Sequence, residues 1–115
     1  MDTVREIRRG AVRLHVLHHA ALGPVSGAWM SGELRRHGYA ISPGTLYPLL
    51  HDLEDQGLLL SEQRTERGRV LRYYRATREG RTALKDARRV LRELADELVP
   101  GASGRGGRVR RGRPD

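Results

Sequence analysis

Three groups of side chains in this chain have the types and spacing for chemistry. The first lies in Ser42-Pro43-Gly44-Thr45-Leu46-Tyr47-Pro48-Leu49-Leu50-His51. Leucines recur on one helical face there, and Ser42, Thr45, Tyr47, Pro48 and His51 fall on the other. Hydroxyl, phenol and imidazole groups along one exposed face suit the edges and backbone of nucleic acid. Thr45 can meet a thymine methyl or a phosphate, Tyr47 can donate to phosphate and pack on a sugar, and His51 follows one turn later. The second group is Arg64, Arg67, Arg69 and Arg72, with Arg75 beyond them. Each arginine alone is as readily a solvated charge. A hairpin around Glu66-Arg67-Gly68-Arg69, however, brings them together where cations reach phosphates or the minor groove. The third group is His15, His18, His19 and His37. On one helix, 15 with 19 and 15 with 18 are neighbours, so two imidazoles can share zinc, nickel or copper, with His37 as an added ligand. No carboxylate is close to them in sequence, and helix histidines also serve as plain polar surface. Trp29, the sole tryptophan, either lines a cavity for an aromatic effector or packs in the core.

These groups need elements to hold them. Residues 2–22 carry a helical stripe of Val4, Ile7, Ala11, Leu14, Leu17 and Ala21, ended by Gly23-Pro24. A second helix is expected from about Ser26 to His37, with Trp29, Met30 and Leu34 inward and Gly38 as its C-cap. Ser42 and Pro43 open the third helix as N-cap and first helical residue. Leu46, Leu49, Leu50 and Leu53 mark its buried side, and Pro48 should distort its start without dividing it. Leu58–Thr65 and Val70–Thr77 read as two strands of a hairpin, with Gly68 supplying the positive φ. Thr77 caps a last helix bearing the heptad Leu84, Ala87, Leu91, Leu94, Leu98. That seam either packs on its own domain or pairs with the Val4, Ile7, Ala11, Leu14 stripe in a two-fold dimer, which the small size of the domain favours.

The fold class expected is mainly α with a two-stranded β wing: a winged helix-turn-helix over residues 1–77 and a C-terminal dimerisation helix over 78–99. A disordered Arg/Gly-rich tail, carrying five arginines and Asp115, follows over 100–115. The 115 residues hold 22 basic and 14 acidic side chains for a net charge of +8, which favours polyanionic partners. Only Lys85 is lysine; arginine suits bidentate contacts to guanine and phosphate, and a GC-rich genome gives the same bias. Without cysteine, disulfides, thiolate metal sites and cysteine nucleophiles are excluded. The absence of a signal profile or a membrane-length apolar run places the expected protein in the cytoplasm, with no membrane partner. No phosphate-cradling glycine loop, zinc-protease motif or paired carboxylates points to an enzyme.

The segment His37-Gly38-Tyr39 through Ser42-Pro43-Gly44-Thr45-Leu46-Tyr47-Pro48, with Leu53-Glu54, Gly57-Leu58-Leu59, Arg72-Tyr73-Tyr74-Arg75-Ala76-Thr77 and Glu79-Gly80-Arg81, resembles the PadR family of bacterial transcriptional regulators. The resemblance spans residues 5 to about 98, and its Gly-Thr-Leu-Tyr-Pro core is specific. It implies a homodimeric winged-helix repressor on a near-palindromic operator, often released by a small ligand. The single last helix resembles the family's shorter subclass. Trp29 stands where the family often has tyrosine, Ala76 replaces a larger aliphatic residue, and the arginine tail lies outside the pattern. No cofactor is required; the effectors left open are a small aromatic molecule or a divalent transition metal. A metal-responsive regulator, a winged-helix protein–protein adaptor and a nonspecific DNA binder are the competing functions.

Overall fold

A computed structural model describes residues 2–102; of the tail expected over 100–115, residues 103–115 lie outside that range. Four helices and three strands follow in the order α1 (Thr3–Leu22), β1 (Val25–Ser26), α2 (Gly27–Arg36), α3 (Pro43–Asp55), β2 (Leu59–Glu66), β3 (Arg69–Ala76) and α4 (Arg78–Leu98). Asp2 starts α1 by accepting the backbone N–H groups of Val4 and Arg5. Ser26 starts α2 the same way, through the N–H of Trp29.

The sheet has one strand more than the expected wing. Val25 pairs with Tyr74 and Ser26 with Tyr73, so β3 lies between β1 and β2. Two residues after Pro24 are too short for any alternation to register, and only pairing with β3 makes them a strand. The hairpin itself closes with Glu66 opposite Arg69. Both Arg67 (φ 52°) and Gly68 (φ 75°) take positive φ, the two-residue turn whose twist matches the strands. Arginine is the unfavourable half of that turn.

Val12, Val16, Leu17 and Ala20 of α1 pack with Met30 and Leu34 of α2, Leu46, Leu50 and Leu53 of α3, and Leu59, Tyr74 and Ala76 of the sheet. The core side of α1 is therefore Val12, Val16, Leu17 and Ala20, and not the Val4, Ile7, Ala11, Leu14 stripe expected at a dimer interface. Val4 and Ile7 are exposed, while Leu14 only flanks the core. Leu49 is half-buried, and Pro48 sits inside an unbroken α3 on its exposed side. Two further expectations change. Trp29 faces outward with 47 % of its surface exposed, because Met30 and Leu34 already fill the inner side of α2. Leu84 belongs to its own chain's core at 5 % exposure, so it is not part of a surface seam.

Thr77 ties three elements together. Its hydroxyl donates to the Gly57 carbonyl (2.6 Å) and accepts the Gly80 N–H (2.9 Å), and its own N–H reaches the Leu58 carbonyl (3.1 Å). The end of α3, the wing and the start of α4 thus share one set of hydrogen bonds. One compact unit runs to Leu84 and a second begins at Lys85; within the second, Val90, Leu91, Leu94 and Leu98 are exposed.

Candidate nucleic-acid interface

The outer face of α3 is as the leucine spacing requires. Leu46, Leu50 and Leu53 are buried, while Ser42, Thr45, Pro48 and His51 are exposed. Ser42 has the backbone of an N-cap, yet its hydroxyl donates to Thr45 Oγ1 (3.3 Å) and caps no N–H. The helix start is thereby left open to an anion. Tyr47 is not the free ring expected. It is 39 % exposed, but its phenol lies along Gly27, where a Cβ would stand only 2.6 Å from Tyr47 Oη. A glycine at the first turn of α2 provides the room.

The wing arginines divide into two pairs. Arg67 and Arg69 are exposed at the turn and, among the described residues, have no ion-pair partner. Arg64 and Arg72 are held by the protein: Arg64 Nε donates to Glu62 (3.2 Å) with its guanidinium 4.4 Å above the Tyr73 ring. Arg72 donates to Ser61 Oγ (2.9 Å), and Ser61 in turn donates to Glu54 (2.8 Å). Tyr73 donates to the Glu66 carboxylate at 3.0 Å, which pushes its phenol up. Arg64 and Arg72 thus stiffen the hairpin that carries Arg67 and Arg69.

Beside α3, a groove of about 670 Å³ runs between Arg5, Arg8, Arg9 and Arg13 of α1 and Thr45, Pro48 and Leu49 of α3, floored by Val12, Tyr39 and Ile41. Arg13 pairs with Asp52 across it at 2.9 Å. The spacing of the α1 arginines carries no sign of this role, since nothing in it shows that α3 lies alongside.

The histidines also gather. His15, His19 and His37 each place a ring nitrogen within 4.8 Å of the others, with His15 and His37 rings 4.7 Å apart. His18 is outside this group and meets His19 edge-on at 4.8 Å. A carboxylate is present after all. Glu33 lies one turn before His37 on α2, with Oε2 3.1 Å from His37 Nε2 and 3.5 Å from His19 Nε2. Sequence distance hid it, because it belongs to the other helix. Burial first, then neighbouring imidazoles, holds His15 and His19 below the usual histidine range against the opposing pull of Glu33. For Glu33 burial acts upward, but the hydrogen bond with His37 and the charge of Arg36 hold its carboxyl below the ordinary value.

The model of the transcriptional regulator PadR-like family matches residues 16–86. The chain is also 61 % identical over 100 residues to the transcriptional regulator Rv3488 of Mycobacterium tuberculosis, covering 87 % of this chain and 94 % of that protein. The chain belongs to the PadR-like family of transcriptional regulators. It is a regulator rather than an enzyme.

Among solved PadR-like structures, a regulator from Eggerthella lenta DSM 2243 superposes with a TM-score of 0.73 at 37 % identity, covering 82 % of this chain and 83 % of that one. Bacillus subtilis PadR in complex with operator DNA shares the fold at a TM-score of 0.60 and 19 % identity, over 66 % of this chain and 46 % of that one. Mainly α with a β wing is thus the PadR-like architecture here.

Proposed function

We propose that the protein is a homodimeric, ligand-responsive repressor that reads a palindromic operator in double-stranded DNA, and that it acts in the cytoplasm. The observation carrying this reading is the exposed row Ser42, Thr45, Pro48 and His51 on α3, combined with the exposed Arg67 and Arg69 at the wing turn. In a fold shared with a protein seen on operator DNA, those positions suit α3 in the major groove and the wing on flanking phosphate. No described helix is long and apolar enough to cross a membrane.

Residues 1–77 serve as the reading part and 78–99 as the pairing part. Support for the dimer comes from unpartnered apolar side chains: Val4 and Ile7 on α1, and Leu91, Leu94 and Leu98 on α4. Ala87 and Ala11, both half-buried, and Leu14 complete the two stripes. Charge adds to this support: the leucines of α4 are interspersed with Glu93 and Glu97, and α1 carries Arg5, Arg8 and Arg9. Paired helices set the two reading heads about 34 Å apart along the duplex. An effector would act where α1 meets α2, since exposed Trp29 and the imidazoles gather there.

The test is a gel shift on the DNA upstream of the protein's own gene with excess competitor DNA. Discrete retardation that survives competitor is expected. If competitor abolishes the shift, the adaptor or nonspecific DNA-binder reading replaces this one.

A further inference from the structure

We propose that His15, His19 and His37, with Glu33 as fourth donor, form a site for a divalent first-row transition ion, zinc above all, that clamps α2 onto α1. The proposal rests on the regulator reading only for what the clamp does to DNA binding.

Three of the four donors are already gathered, and the fourth faces two of them. Three imidazole nitrogens lie within 4.8 Å of one another. Tetrahedral zinc at its usual Zn–N distance needs them about 3.3 Å apart, a closure within reach of imidazole rotation. His19 Nε2 is buried and makes no hydrogen bond, although the Glu33 carboxylate is 3.5 Å away. At that separation the two groups face each other without bonding, and a buried ring nitrogen left in this way costs stability. An ion between them satisfies both. Glu33, with its side chain 12 % exposed, already faces His19 and His37 with the same oxygen, Oε2. Three nitrogens and one carboxylate favour zinc, nickel or cobalt over magnesium or calcium, which prefer all-oxygen shells.

A plain aromatic cluster explains less. Ring packing accounts for His15 against Tyr39 at 5.3 Å and His19 against Trp29 at 5.4 Å. It does not explain why nitrogens of three rings gather within 4.8 Å of one another with the Glu33 carboxylate facing two of them.

The placement gives the ion a mechanical role. His15 and His19 belong to α1; Glu33 lies on α2 and His37 is its C-cap. From His37 the chain turns through Gly38 (φ 89°) and reaches Ser42, which opens α3. Binding draws the end of α2 toward α1 and so resets the entry of α3, the helix proposed to read DNA. Regulation then follows from a small shift at a jointed element.

The experiment uses the full chain, freed of metal by chelator and titrated with zinc chloride, with magnesium chloride as comparison. Binding is followed by calorimetry and by the emission of Trp29, whose ring abuts His19. One zinc per chain, an emission change complete at that ratio and no response to magnesium are expected. His15→Gln and His19→Gln should each weaken zinc at least about tenfold, Glu33→Gln less, and His18→Gln scarcely. Cobalt gives a second readout that a merely structural role would not move: intense visible bands of a four-coordinate ion. Absence of zinc heat and emission change, equal losses in His18→Gln and His15→Gln, or the weak spectrum of six-coordinate cobalt would overturn the site. Melting curves of the metal-free variants confirm that each is folded. A gel shift with and without zinc then reads the regulatory half: a several-fold change in affinity supports it, and an unchanged affinity overturns it. Because the titration is done without DNA, it stands or falls separately from the operator reading.

Discussion

The phenol of Tyr47 lies along Gly27 so closely that one added methyl would stand 2.6 Å from its oxygen and 2.7 Å from Cε1. The contact joins the first turn of α2 to the outer side of α3, and it sets where the phenol points. Gly27→Ala should displace the ring, at a stability cost of roughly 1–3 kcal/mol, and lower operator affinity. In a Tyr47→Ala background the same methyl should cost much less. Urea melts of the four proteins in this double-mutant cycle measure the coupling; additive effects would show that the contact is not what position 27 serves.

Gly80 faces a harder neighbour. A Cβ there meets the Leu58 carbonyl oxygen, and backbone held by Thr77 yields less readily than a side chain. Gly80→Ala should lower the urea midpoint strongly, by an equivalent of about 3 kcal/mol. Gly32→Ala in α2, with nothing within 4 Å, should instead be neutral or stabilise by up to about 1 kcal/mol.

Two positions of the heptad, Leu84 and Leu91, should behave differently. Leu91 is 48 % exposed in the single chain, so Leu91→Glu should leave a folded monomer with little operator affinity. Leu84 is a core residue, so Leu84→Glu should unfold the protein. Sedimentation together with circular dichroism separates the cases, and a Leu91→Glu monomer that still binds DNA tightly would disprove the coupling of pairing to reading.

Arg67 and Arg69 should each contribute a phosphate contact. Alanine at either should weaken binding and reduce the salt slope of log K by about 1. Arg64→Ala should leave the slope nearly unchanged, since that guanidinium is committed to Glu62 and Tyr73. Fluorescence anisotropy across a salt series checks all three.

What the sequence determined by itself was whatever depends on local pattern. Leucine spacing identified the buried side of α3, and Ser42-Pro43 marked its start. The residues around Gly68 announced the hairpin, and the motif through Gly-Thr-Leu-Tyr-Pro named the family. These signals are local because helix periodicity, capping and turn conformation are set within a few residues. Tertiary structure decided what depends on which surfaces meet. It turned α1 so that Val12 and Val16 face inward and Val4 and Ile7 stay out, drew Leu84 into the core and exposed Trp29. It added β1 through pairing with β3 and laid Tyr47 on Gly27. It also brought Glu33 to His19 across the α1–α2 contact. Amphipathic spacing shows that a helix has an apolar side, but stripes of similar strength are sorted between core and partner only when the other elements take their places. Side chains far apart in sequence become one site for the same reason.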